Sequence, residues 1–153
     1  MHLIEDNMFK FGNKLTYMCI TTNSTIKTNG ELVMGKGNAL EAKKLLPSLP
    51  KIFANLIKEK VGNIEEGIVP DYHLISYHSF IAFQTKRNWR DPSPLELVIG
   101  SIQRLERLAL KYPESTFGLP APGCSNGGLK MEDIEPYLLN LPDNVYVFTG
   151  VYK

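Results

Sequence analysis

Gly118-Leu119-Pro120-Ala121-Pro122-Gly123-Cys124-Ser125-Asn126-Gly127-Gly128-Leu129 joins a short apolar run to a segment of helical spacing that opens near Met131. A loop this rich in glycine and small side chains, set after a strand and before a helix, can turn bare backbone N–H groups toward an anion. Val33-Met34-Gly35-Lys36-Gly37-Asn38-Ala39 has the same character and also leads into a helical pattern. Two such loops can grip one ligand that carries more than one phosphate, so the pair says more than either loop alone.

Working outward, Leu3-Ile4 opens a short strand, and residues 15–22 form a largely apolar strand of the kind buried on both faces of a sheet. Residues 38–46 keep helical spacing until Pro47 ends it. Residues 48–60 read as a second helix, with Ser48 as N-cap, Pro50 in the first turn, and Ile52, Phe53, Leu56 and Ile57 turned inward. Strands are expected over 72–77 and 80–85, joined by a tight turn at His78-Ser79, and the insertion 24–31 reads as a polar turn. Residues 93–112 make the longest helix, with one apolar stripe from Leu95 through Val98, Ile99, Ile102, Leu105 and Leu108 to Ala109, and Asp91 and Ser93 as its N-terminal cap. A strand over 116–120, a helix over 131–139 and a strand over 145–149 complete the chain. This alternation predicts an α/β fold, a mixed and mainly parallel sheet with helices on both faces. Ligands of such sheets bind beyond the carboxyl ends of the strands, and both glycine loops follow strands.

A chain of 153 residues suffices for one core but not comfortably for two, so a single domain over 1–153 is expected. A formal charge of +1 speaks against a broad electrostatic platform for nucleic acid and leaves only a local basic cluster at Lys86, Arg87 and Arg90. The two cysteines, Cys19 in an apolar strand and Cys124 in the glycine loop, lie at no metal-ligand spacing and read as reduced thiols of a cytoplasmic protein. Strand alternation puts His73 and His78 on opposite faces, so no metal is expected. No signal peptide or long apolar run is visible, which points to neither secretion nor membrane insertion, and a monomer without a cofactor is expected.

Together these segments resemble the macrodomain family, the module that binds ADP-ribose. Thr21-Thr22-Asn23 followed by Val33-Met34-Gly35-Lys36-Gly37-Asn38-Ala39 looks like its first half. Phe83-Gln84-Thr85-Lys86-Arg87-Asn88-Trp89-Arg90 and the second glycine loop are similar to the branch that holds the DNA-ADP-ribose glycohydrolase antitoxins and the terminal ADP-ribose glycohydrolase. The resemblance implies a three-layer α/β/α macrodomain-like fold. It implies as ligand ADP-ribose or an ADP-ribosylated macromolecule, single-stranded DNA among the candidates.

The resemblance also implies roles for individual residues. Adenine is read in the tract Glu5-Asp6-Asn7-Met8-Phe9, by Asp6 or Asn7, while Phe9 and Phe11 either stack on the base or pack in the core. Asn23 matches the position that holds the distal ribose, the alternative being an asparagine that caps its own turn. Thr22 and Thr85 line the same edge. Gly35 and Gly37 allow close backbone approach to ribose and diphosphate, and Asn38 opens a helix whose positive end faces them. Lys36 is either a phosphate contact or a solvated surface charge. Gly123, Cys124, Ser125, Asn126, Gly127 and Gly128 form the second half of the cradle.

The implied chemistry centres on Lys86, aligned with the lysine that the glycohydrolase branch uses at the anomeric carbon, with Asn23 beside it. An amine attacks that carbon only when unprotonated, so the site must lower its pKa from about 10.4 by burial or by neighbouring cations, for which Arg87 and Arg90 are candidates. The alternative is a lysine paired with a carboxylate at a strand end. Gln84 stands where the antitoxin-like motif has proline, and Gly127 where one glycohydrolase subclass has an acidic residue, which removes one general acid/base candidate. Trp89 either packs at the site edge, stacks on a base of a nucleic-acid-linked substrate, or is a plain hydrophobic anchor. The residues leave three functions open: a hydrolase of an ADP-ribosyl linkage or of ADP-ribose 1''-phosphate, a module that captures ADP-ribose or an NAD-derived signal without turnover, and an unrelated α/β protein with phosphate-binding loops.

Overall fold

The computed structural model describes residues 1–62 and 67–150. Strand β1 (His2–Ile4) leads through a 3-10 helix (Met8–Lys14) to β2 (Tyr17–Thr22) and a two-residue β3 (Thr25–Ile26). Helices α1 (Gly37–Leu45) and α2 (Leu49–Val61) follow, then β4 (Gly67–Ile68), β5 (Leu74–Tyr77), β6 (Phe80–Gln84) and the long α3 (Leu95–Lys111). The last elements are β7 (Phe117–Pro120), α4 (Met131–Leu138) and β8 (Val145–Phe148).

The main sheet has the order β1-β8-β7-β2-β6-β5, with every neighbouring pair parallel except β5–β6. Period-2 alternation along the central strands makes this a three-layer α/β/α arrangement, because it feeds two separate cores. Met18, Ile20 and Ala82 pack with Met8, Ala42, Phe53 and Ile57 under the 3-10 helix, α1 and α2. Cys19, Ile81 and Phe83 pack with Val98, Ile102, Leu105, Ile134 and Leu138 under α3 and α4. Both faces of β2 are therefore buried, as its apolar run predicts.

Several local expectations change. Ser48 lies in the helical region and makes no side-chain capping bond, and α2 buries Leu49, Pro50, Phe53, Ala54 and Ile57, leaving Ile52 and Leu56 only partly covered. The long helix starts at Leu95 behind Pro94, with no side-chain cap from Asp91 or Ser93. Starting later turns Leu97 and Ser101 inward and leaves Leu95 exposed. The polar insertion after β2 is not all turn: Thr25 and Ile26 pair antiparallel with Ile68 and Gly67, and Ile26 is buried. At the expected hairpin His78 takes a left-handed φ of 51°.

Parallel pairing has one consequence for function. The carboxyl ends of β1, β8, β7, β2 and β6 all open on the same edge, which therefore receives Asp6, the second glycine loop, Asn23 and Lys86 from segments far apart in sequence.

Candidate functional site

Three loops converge on that edge. The two glycine loops meet where a side chain added at Gly37 would come 3.8 Å from Asn126 Nδ2. The second loop is tied to the segment after Lys86, since Ser93 N donates to Gly127 O at 2.9 Å. Asn23 joins the end of β2 to the start of the first loop through Nδ2 to Val33 O at 2.9 Å.

Lys86 follows β6, and its backbone N–H reaches Thr22 O on the neighbouring strand at 3.3 Å. Its side chain is half-buried, with Nζ 3.4 Å from Trp89 O. Burial holds its pKa below the ordinary lysine range, the Lys36 ammonium pushes it the same way, and the Asp91 carboxylate opposes them. Arg87 is not the cation responsible. Its guanidinium pairs with Asp71 at 3.0 Å and Glu96 at 3.4 Å, and Arg90 lies 5.0 Å over the Trp89 ring instead.

The loop is held by Gln84, whose side chain is fully buried at the end of β6. Its Oε1 accepts from Tyr72 N at 2.9 Å and His73 N at 3.1 Å, while Nε2 faces Ser24 Oγ, Asp71 Oδ1 and Lys86 O at 3.0, 3.0 and 3.2 Å. A buried amide with both ends engaged pins three segments at once. Gln84 marks a departure from the family pattern in sequence, and here it anchors the backbone of Lys86. Trp89 N donates to Thr25 Oγ1 at 3.1 Å, which docks the far end of the same loop on β3.

Other predicted site residues use their polar atoms inside the protein. Asn23 Oδ1 accepts from Thr25 N at 2.9 Å, the turn-capping arrangement, so with Val33 both ends of its amide are occupied once. Asn38 Oδ1 accepts from Thr21 N at 2.7 Å and its Nδ2 binds Thr21 Oγ1, which fastens the start of α1 to β2. Tyr72, buried and outside every sequence motif, donates its single hydroxyl proton to Asn23 O at 2.6 Å, so Thr22 Oγ1 donates to Tyr72 Oη at 2.6 Å. Thr85 Oγ1 is buried and turned to Thr22 O at 3.4 Å. These residues build the rim from below.

The glycines differ sharply. Gly35 and Gly128 look onto open space, with nothing within 4 Å of an added methyl. A methyl at Gly127 would fall on Ser93 Oγ and lie 2.5 Å from Gly123 O, and one at Gly123 would come 2.8 Å from Leu129. A side chain at 127 would force Ser93 and the Gly123 backbone to move, so the loop as packed here leaves no room for an acidic partner. Ser93 Oγ is buried without a hydrogen-bond partner among the described residues. Cys124 Sγ donates to Pro122 O at 3.6 Å, and burial with the Asp133 carboxylate raises its pKa, which disfavours the thiolate. Ser125 and Asn126 are exposed at the loop tip.

At the other end of the edge, Asp6 accepts from Asn7 N at 2.7 Å and pairs with Lys10 at 3.0 Å. That backbone N–H and then the lysine lower its pKa. Asn7 caps the 3-10 helix through Phe9 N at 2.9 Å. Phe11 packs on Phe148 with ring centroids 5.4 Å apart, and Phe9 is partly buried against the same core. With strands about 4.8 Å apart, the ends of β1 and β6 are separated by roughly 19 Å across four strand spacings. A ligand touching both Asp6 and Lys86 must lie extended along the edge, past the glycine loops.

No family model matches the chain. It is 33% identical over 116 residues to a "DNA ADP-ribosyl glycohydrolase" of Mycobacterium tuberculosis, a match covering 72% of this chain and 33% of that protein. The chain thus spans about a third of the length of the curated relatives it matches. The macrodomain of Thermus aquaticus DarG superposes with a TM-score of 0.72 at 22% identity, covering 99% of this chain and 97% of that one. Thermosipho africanus DarTG, solved in complex with ADP-ribose, superposes with a TM-score of 0.71 at 22% identity over 95% of this chain and 40% of that one.

Proposed function

The chain belongs to the macrodomain family, related to the DarG macrodomains, and from that premise we propose that it binds ADP-ribose along the strand-end edge and hydrolyses an ADP-ribosyl linkage with Lys86 as nucleophile. The observation that carries this reading is that the strand-end edge receives both glycine loops, met at Gly37 and Asn126, together with Lys86, whose segment is tied to the second loop by Ser93 N to Gly127 O. Open backbone at Gly35 and Gly128 leaves room for a diphosphate, with α1 opening beside it. Asp6 is the charged acceptor for an adenine amino group: Asn7 N and Lys10 both engage its Oδ1, which leaves Oδ2, whereas Asn7 has a single oxygen that already accepts from Phe9 N.

In the chemical step the neutral Lys86 amine forms a bond to C1'' of the distal ribose as the bond from C1'' to the acceptor breaks. The acceptor leaves with the electron pair and takes up the proton that the alkylated amine releases. The resulting glycosylamine opens by breaking C1''–O4'', its remaining N–H proton passing to O4'' as the C1''=Nζ imine forms. Water then adds across C1''=Nζ, the C1''–Nζ bond breaks as the new hydroxyl's proton passes to nitrogen, and O4'' closes back on C1'' to release ADP-ribose and the free amine. Purified protein should release free ADP-ribose from ADP-ribosylated single-stranded DNA, and Lys86→Ala should abolish release while ADP-ribose binding by calorimetry persists. A variant that works at full rate removes Lys86 from the mechanism. Because only the neutral amine attacks, the rate should climb with pH through a midpoint below the ordinary lysine range, and Lys36→Ala, which removes a cation, should move that midpoint upward.

Two observations favour capture without turnover as the second reading: position 127 is a closely packed glycine and supplies no acid, and Lys86 Nζ rests on Trp89 O. Stoichiometric ADP-ribose binding with no product after long incubation with ADP-ribosylated DNA, ADP-ribosylated protein or ADP-ribose 1''-phosphate would decide for it.

A further inference from the structure

Next to the reactive lysine lies a feature that neither ADP-ribose binding nor the hydrolytic step uses. Trp89 is 44% exposed, an unusual placement for the largest side chain in the protein and three residues from Lys86. Its ring belongs to neither hydrophobic core. Its backbone is fixed at both ends: N–H to Thr25 Oγ1 at 3.1 Å and carbonyl to Lys86 Nζ at 3.4 Å. The next turn is fixed too, with Arg90 N on Asn88 Oδ1 at 3.1 Å. Arg90 lies 5.0 Å over the indole, while its neighbour Arg87 is paired with Asp71 and Glu96. An exposed indole on a hydrogen-bonded loop, carrying a guanidinium, is a surface on which planar, electron-rich rings stack, and the cation also suits a phosphate beside such a ring.

We propose that Trp89 and Arg90 form a stacking platform for a nucleobase of the single-stranded DNA acceptor, beside the linkage that Lys86 attacks. The proposal rests on the hydrolase reading for its substrate, and the platform itself stands on the geometry of the Lys86–Arg90 loop. Adenine of the ADP-ribosyl group is not its occupant, since Asp6 lies at the opposite end of the edge. A peptide acceptor would leave the indole uncovered. A duplex would keep its bases stacked on each other and unavailable to the ring.

The experiment uses the fact that Trp89 is the only tryptophan of the chain, so intrinsic fluorescence reports on it alone. Unmodified single-stranded oligothymidylate at low salt should quench that emission saturably, and the same sequence in a duplex should not. Arg90→Ala should weaken this binding by about tenfold. With ADP-ribosylated substrates, Trp89→Ala should lower kcat/KM for the DNA-linked one about tenfold more than for a protein-linked one, and Trp89→Phe should restore most of the difference. The fluorescence arm needs no turnover, so an inactive protein that still shows single-strand-specific quenching keeps the platform and defeats only the hydrolase reading. Absence of quenching, equal quenching by duplex, or equal loss on both substrates overturns the platform.

Discussion

In the second glycine loop a methyl at Gly127 would fall on Ser93, whereas at Gly35 in the first loop it would meet nothing within 4 Å. The two segments look alike in sequence and carry their glycines for different reasons. Gly123 and Gly127 make room for the protein's own packing, with Leu129 N on Gly123 O at 2.8 Å and Ser93 N on Gly127 O at 2.9 Å closing the loop. Gly35 faces open space. Gly37 stands between them: its φ of 61° demands glycine by conformation, and its face is turned to Asn126. Glycine content therefore marks a candidate anion cradle only after internal packing has been subtracted.

The largest effect expected from this contrast is at Gly127. Gly127→Ala must displace backbone as well as Ser93, and overpacking of this kind costs about 3 kcal/mol. Thermal unfolding should register this as a fall in Tm of roughly 10 °C for a chain of this size. A variant as stable as the parent would show that the two loops are packed alike. Gly37→Ala comes next, at about 1 kcal/mol for holding alanine in the left-handed region, again read by thermal unfolding. Its methyl touches Asn126 at ordinary contact distance, so no steric increment should be added.

The fold was legible because it depends on local periodicity. A period of 2 through Met18, Cys19 and Ile20 and a helical repeat through Val98, Ile102, Leu105 and Ala109 each meet the matching core. The missed pieces are those whose structure is set by a distant partner. Thr25 and Ile26 are a strand only because Gly67 and Ile68 lie beside them, which a polar turn signal cannot reveal. Motifs placed Lys86, Asn23 and the glycines on one edge, yet they are silent about what each atom binds. The amide of Asn23 is tied to Thr25 and Val33, and Arg87 to Asp71, sixteen positions away in the chain. Neither Tyr72 nor Gln84 carries chemistry in a sequence motif, and both hold the rim through their hydrogen bonds. Gln84 gave one signal, its presence where the family pattern has proline: an amide before the Lys86 loop supplies bonds that a ring cannot.

Gly35→Ala is expected to have the smallest effect on the fold and for that reason separates the two loops most cleanly. Its φ is not left-handed and its added methyl meets no atom, so stability should stay within about 0.5 kcal/mol of the parent. A methyl on that open face stands where a diphosphate would have to approach the backbone, so ADP-ribose affinity measured by calorimetry should fall about tenfold while Tm holds. The mirror-image result, a large loss of stability with unchanged affinity, would place Gly35 with Gly127 among glycines kept for packing. Unchanged stability with unchanged affinity would make the first loop a connector and leave the anion to the second. Only loss of affinity at constant stability identifies backbone reserved for a ligand, and of the glycines in the two loops Gly35 and Gly128 alone have open space on that side.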